Sequence, residues 1–269
     1  MKDAPQGPFA SHHIGLSNTA DIVKNLELFQ NSKLMHLVQP NKFDFELELN
    51  SSALIAANPN TFFDFPASTI LAPQRAGKSA EEEFVFIDFE FNKSSEKHPA
   101  LILLEVELEK ISSNQSLIST VRTIGDELFT NAIYNAPFIG SVGIKGEDRQ
   151  KVIQLPESKK SRIFLAKDDQ RLVVGCVDRY GSLELNRLVD KVHSCFKMGA
   201  ASQIQMDSKK GAGIGTYMLF EASPSIYVGV DEGQHTVFAC VLPMNMSSKK
   251  VQELPKSYHF ISERGGGES

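Results

Sequence analysis

The stretch from Leu117 to Pro137 constrains this chain more than any other. Its apolar residues fall at Leu117, Val121, Ile124, Leu128 and Ala132, steps of three and four that describe one stripe of an amphipathic helix. The opposite stripe carries Glu127, Asn131 and Asn135, each four residues after the last, so their side chains stack along one edge. A carboxylate and two amides in register suit either of two tasks: holding a hydrated cation through oxygen atoms, or orienting a water beside one. The same spacing also describes an ordinary surface helix with its polar side to water. Ser112, Ser113 and Asn114 offer a polar break and an N-cap, and Pro137 ends the helix because it has no N–H to donate.

Composition narrows the classes. The 269 residues suffice for one large domain or two ordinary ones, and 41% hydrophobic with 23% charged residues is a globular balance. A net charge of −5 argues against nucleic acid or an anionic membrane as the main partner, since either wants a basic surface. No apolar run approaches the length of a membrane span and the start lacks a signal-peptide core, so a cytoplasmic protein is expected. Cys176, Cys195 and Cys240 lack paired spacing, which fits reduced core thiols better than a disulfide framework or a zinc site.

Residues 1–18 are polar, with Pro5, Gly7, Pro8 and the pair His12 and His13, and read as a loose arm. Asn18 or Thr19 opens a short helix running to about Phe29. From Lys33 to about Lys110 the pattern turns strand-like: Lys33–Val38, Phe43–Leu49, Glu83–Phe91 and Leu101–Leu108 are short runs separated by Asn, Pro, Gly and Ser turns. The expectation is a β-rich N-terminal domain over 1–110 that senses, docks or dimerises. Arg75–Ser79 ends like a phosphate-binding P-loop, but the glycine required five residues before Gly77 is Ala72, and the pattern of Ala80–Glu83 runs straight into an expected strand.

Downstream come a hairpin (Arg162–Ala166, then Arg171–Val177) and a carboxylate at its end, Asp178, followed three residues later by Gly181. That arrangement aims an acid into a cleft beside a tight turn, or is a plain strand-ending turn. A helix from about Glu184 to Met198 follows. Gly211, Gly213 and Gly215 then open an apolar helix through Thr216 to Glu221, with Lys209 and Lys210 just before it. Alternating glycines at a helix start let backbone N–H groups approach an anion, though a flexible linker reads the same way. Ser225–Val230 and His235–Pro243 form a closing hairpin, and residues 247–269, with Gly265–Gly267, read as a polar tail.

In this order the pieces resemble the Bergerat-fold (histidine kinase-like, GHKL) ATPases, over about residues 115–245. The N box is Glu127-Leu128-Phe129-Thr130-Asn131-Ala132, with Asn135 where the family often has a basic or polar residue. The first glycine box is Asp178-Arg179-Tyr180-Gly181, which departs from the common pattern by placing Arg and Tyr between its acid and its glycine. The second is Gly211-Ala212-Gly213-Ile214-Gly215. The resemblance implies an α+β chain: a two-layer α/β sandwich over 111–246, preceded by the β-rich domain.

It also implies roles. Asn131 ligates magnesium, and Glu127 orients or deprotonates the attacking water or hydroxyl. Asp178 accepts from the adenine amino group, Gly181 lets the base lie close, and Thr236 supports Asp178. Gly211, Gly213 and Gly215, with Lys210, Thr216 and Asn135, surround the phosphates of ATP. The upstream histidines fall in the arm or in strand-like runs, not on a dimerisation helix, so the organisation is closest to the anti-sigma-factor serine kinases. The implied protein binds ATP and Mg2+ and phosphorylates a regulatory protein partner, with homodimerisation common in the superfamily. Two alternatives stand beside it: a non-catalytic nucleotide-sensing module, and the catalytic lobe of a sensor histidine kinase acting in trans.

Overall fold

A computed structural model describes residues 12–16, 34–38, 44–138, 152–198 and 214–263. The strands are β1 (His12–Leu16), β2 (Leu34–Val38), β3 (Val85–Phe91), β4 (Ser161–Lys167), β5 (Arg171–Asp178), β6 (Ser225–Asp231), β7 (His235–Pro243) and β8 (Ser257–Glu263). The helices are α1 (Phe45–Ala57), α2 (Asn60–Asp64), α3 (Pro66–Leu71), α4 (Lys78–Phe84), α5 (Lys97–Glu109), α6 (Gln115–Thr130), α7 (Leu185–Met198), α8 (Ile214–Ala222) and α9 (Ser248–Gln252). All the strands join one eight-stranded sheet in the order β1-β2-β8-β6-β7-β5-β4-β3. The β1–β2 and β6–β8 pairs are parallel and the remainder antiparallel. The α+β class is as the sequence reads.

Helices cover both faces, which explains why the strands read as continuous apolar runs. Along β5, Leu172, Val174 and Cys176 point into one core with α5, α6, α7 and α8. Val173 and Val177 point into the other, with Ile55 of α1, Phe62 and Phe63 of α2, and Ile70 and Leu71 of α3. This strict alternation is the period of two that a pleated strand imposes. The expected two-layer sandwich therefore gains a third layer on its second face. Glycine is required at Gly175, where a β-carbon would stand 2.1 Å from the ring of Phe164, its register partner on β4.

Several sequence expectations need correction. Of the expected strand Phe43–Leu49, Phe43 lies outside the described residues and Phe45 onward is helix α1, whose buried stripe is Glu48, Ser51, Ser52 and Ile55. That helical repeat is mostly polar, so the apolar alternation beside it misleads. Leu101–Leu108 lies in α5, where Ala100, Leu101, Leu104 and Leu108 are buried at helical spacing and Ile102 and Val106 face out. Residues 44–110 are thus mainly helical and not β-rich, and Lys78–Phe84 is helix α4. Within the arm and the tail, His12–Leu16 is strand β1, and Ser257–Glu263 is β8, an interior strand between β2 and β6. The expected helix from Asn18 to Phe29 lies outside the described residues.

The polar stripe of α1 meets its counterpart on the sheet. The Ser257 hydroxyl donates to Glu48 Oε2 at 2.9 Å, and Ser52 Oγ lies 3.2 Å from His259 Nδ1. His259 Nδ1 is also 2.8 Å from His36 Nδ1, and the Tyr227 ring stacks on His259 with centroids 3.8 Å apart. Both histidines are fully buried, and burial pushes His259 down to about 3. Cys176 and Cys240 are free and buried, and burial pushes the Cys240 thiol up to about 12. No helix among the described residues is long and apolar enough to cross a membrane.

Candidate functional site

Helix α6 forms as its pattern directs. Asn114 is the N-cap, its side chain accepting from Leu117 N at 3.2 Å, and Leu117, Val121, Ile124 and Leu128 are buried against the sheet and α5. At the far end the helix widens into a π turn over Asn131–Asn135, then a 3-10 turn over Ala136–Phe138 that contains Pro137. Single π turns are frequent at functional sites.

The edge read from sequence is assembled there. Asn131 Nδ2 donates to Glu127 Oε1 at 2.8 Å, and Asn135 Nδ2 donates to Asn131 Oδ1. All three residues are half-buried, so each keeps partial access to solvent. Opposite them lies the first turn of α8. A β-carbon on Gly215 would stand 1.7 Å from Glu127 Cδ and 1.8 Å from its Oε1. The carboxylate occupies the space that any other residue at 215 would need. The last glycine of the second box and the acid of the N box therefore meet directly.

The second wall is the end of β5. Asp178 Oδ1 accepts from Tyr180 N at 2.9 Å and from Gly181 N at 3.3 Å, which turns the chain tightly out of the strand. Burial raises the Asp178 carboxyl above its ordinary range, while the Tyr180 N–H, the Thr236 side chain and the Gly181 N–H oppose the shift. Thr236 pairs with Asp178 across the sheet, yet its buried hydroxyl stops short of hydrogen-bond geometry with any described group. Gly181 has φ +56°, and a β-carbon there would stand 2.0 Å from the Asp231 carbonyl oxygen, so this turn is locked against the β6–β7 turn.

Two contacts join the walls and anchor the residues between them. The Ser182 hydroxyl donates to Ala136 O at 2.7 Å, tying the Asp178 turn to the 3-10 turn that follows the π turn. Lys159 Nζ donates to Arg179 O at 2.6 Å and sits 5.3 Å from the Tyr180 ring centroid. The Arg179-Tyr180 insertion is thereby fixed to the Glu157–Lys159 turn. Sequence reasoning missed Ser182 and also Lys97, whose ammonium reaches Asp126 at 2.8 Å and Thr130 at 2.9 Å beside the Glu127 edge. Neither carries a local signal, because each acts across elements distant in sequence. Gly211, Gly213 and Lys210 lie outside the described residues. Thr216 falls in the first turn of α8, but its side chain is not among those described.

Comparison with known proteins adds little. No family model matches the chain, and no curated protein matches it. Among solved structures, a chain of the crystal structure of the SiaB–SiaC complex from Pseudomonas aeruginosa is similar. That match has a TM-score of 0.45 and 16% identity, covering 64% of this chain and 96% of that one.

The side chains at this edge, one carboxylate and two amides, could hold a hydrated cation through oxygen atoms. Among the described residues no cluster of three or more His, Cys, Asp or Glu side chains is placed to hold a metal. A cation at Asn131 would therefore take most of its oxygens from phosphate and water, which is the habit of magnesium. A cavity between Ser116, Thr120, Glu221, Leu242 and Val251 lies at the other end of α6 and α8, away from this site.

Proposed function

We propose that this chain is an ATP- and magnesium-binding regulatory protein of the Bergerat type, which transfers phosphate to a partner protein. The observation that carries the reading is the meeting of Glu127 with Gly215. Two elements far apart in sequence come together where one supplies a base and the other a helix start with no room for a side chain. The buried Asp178 carboxylate and the Thr236 hydroxyl supply the second half of the reading. The buried Asp178 acceptor and the hydroxyl beside it suit the donor-and-acceptor edge of an adenine or a bridging water.

In this reading the chain's own groups divide the work. Asp178 and Thr236 bind the base. The first turn of α8 favours the negative charge of the phosphates through its N–H groups and dipole. The Asn131 side-chain oxygen would hold magnesium, which when bound supplies neutralisation of phosphate charge. Glu127, oriented by the Asn131 N–H, accepts the proton of the attacking hydroxyl. A second reading, nucleotide sensing without chemistry, draws on the same geometry, because Glu127 already has Asn131 and Gly215 as neighbours.

Calorimetry with ATP, with and without magnesium, tests the proposal. Wild type should bind, Asp178→Asn should lose binding, and Asn131→Ala should lose only the magnesium dependence. Absence of wild-type binding to any adenine nucleotide would sink it. Glu127→Ala separates the two readings: a kinase loses phosphoryl transfer and keeps its nucleotide affinity, whereas a sensing module loses nothing.

A further inference from the structure

The Asn131 amide has two faces, an oxygen that accepts and an NH2 that donates, and rotation about its last bond exchanges them. Its neighbours decide which way it lies. Glu127 carries an acceptor and asks for the NH2, which it receives at 2.8 Å. Asn135 presents its own Nδ2 and asks for the oxygen, which it receives. The two requests agree, so the amide has one satisfied orientation. The π turn over Asn131–Asn135, closed by Ala136 N–H on Asn131 O, holds the two amides in this relation. Asn131 Oδ1 still has a second lone pair directed away from Glu127.

We propose that Asn135 is a positioning residue that sets the direction of Asn131 Oδ1 for a divalent cation, without itself touching the nucleotide. This rests on the ATP-and-magnesium reading above and departs from it in one respect. That reading groups Asn135 with the phosphate contacts, whereas the hydrogen-bond chain makes it act through Asn131. The logic is that of outer-shell partners of metal ligands, whose loss commonly costs about 10- to 100-fold in metal affinity.

Asn135→Asp is the sharpest perturbation. A carboxylate there only accepts, so both neighbours of Asn131 then ask for its NH2 and its oxygen loses its fixed direction. Asn135→Gln keeps an amide donor on a longer arm. ATP affinity would be measured by calorimetry on wild type and both variants, in magnesium and in EDTA, with thermal unfolding as a folding control.

Asn135→Asp should reduce the magnesium-dependent gain in affinity by about 10-fold or more and leave affinity in EDTA unchanged, while Asn135→Gln restores most of the gain. A wild-type magnesium gain that survives Asn135→Asp overturns the inference and leaves the nucleotide reading standing. Equal loss in EDTA overturns it too, by showing that Asn135 contacts the nucleotide. A wild type that binds no nucleotide overturns both.

Discussion

Acid should loosen the α1 side of this sheet through His259. The ring is fully buried, and burial holds it near 3 in the folded chain against 6.5 in water. The unfolded chain therefore binds more protons than the folded one between those values. Stability is whole above pH 6.5 and drains as pH falls toward 3. At about 1.36 kcal/mol per unit the full span is worth about 5 kcal/mol, and about 2 kcal/mol of it is lost by pH 5.

The groups around the ring pull in both directions. His36 Nδ1 at 2.8 Å, Ser52 Oγ at 3.2 Å and the stacked Tyr227 leave no place for a hydrated cation, and two protonated rings would meet N–H to N–H. Glu48 Oε1, 4.0 Å from Nε2, favours the charged ring. The test is urea unfolding followed by circular dichroism at pH 7.5, 6, 5 and 4.5, on wild type and on His259→Gln. Subtracting the variant's pH profile removes the carboxylates common to both. The difference should fall by about 2 kcal/mol by pH 5. A flat difference, or one that rises on acidification, would show that Glu48 outweighs burial and refute the reasoning.

Three further outcomes separate structure from site. Gly181→Ala should cost about 2 kcal/mol or more in urea unfolding, because φ is +56° and the new methyl meets the Asp231 carbonyl at 2.0 Å, a backbone atom that cannot step aside. Gly215→Ala meets first the end of the Glu127 side chain, which can rotate, so stability should hold within about 1 kcal/mol while ATP affinity in magnesium drops about tenfold or more. Thr236→Val removes a hydroxyl that favours the ionised Asp178 yet reaches hydrogen-bond geometry with none of the described groups, so the fold should lose only about 1 kcal/mol; a fall in affinity for adenine nucleotides then isolates its part in binding.

Where the sequence misleads about the fold, the cause is a polar residue standing at a core position. Helix α1 buries Glu48, Ser51 and Ser52, so its helical repeat is invisible to hydrophobicity and the Phe and Leu alternation wins. Their partners, Ser257 and His259, sit on β8, so the same cluster hides that strand inside a tail that reads as polar. Helix α5 fails for the reverse reason. Ile102 and Val106 are exposed, which turns a helical stripe of Leu101, Leu104 and Leu108 into an unbroken apolar run. The hairpins β4–β5 and β6–β7 are legible because their turns carry the expected residues and the middles of the strands are mainly apolar.

The site divides along the same line between local and long-range information. Glu127, Asn131 and Asn135 are visible because helical spacing alone stacks them, and the structure links them by hydrogen bonds. Asp178 is visible as an acid at a strand end before a glycine. Thr236 is different: spacing alone does not single out a threonine near the start of a strand, and only the resemblance ties it to Asp178, which the register β5–β7 then sets opposite it. Gly215 is legible as a glycine but not as the seat of the Glu127 carboxylate, because that contact joins α6 to α8 through the fold. The residues that spacing alone brings out are therefore local in sequence, while Ser182, Thr236 and Gly215 take their places at the candidate site from contacts between distant elements of the fold.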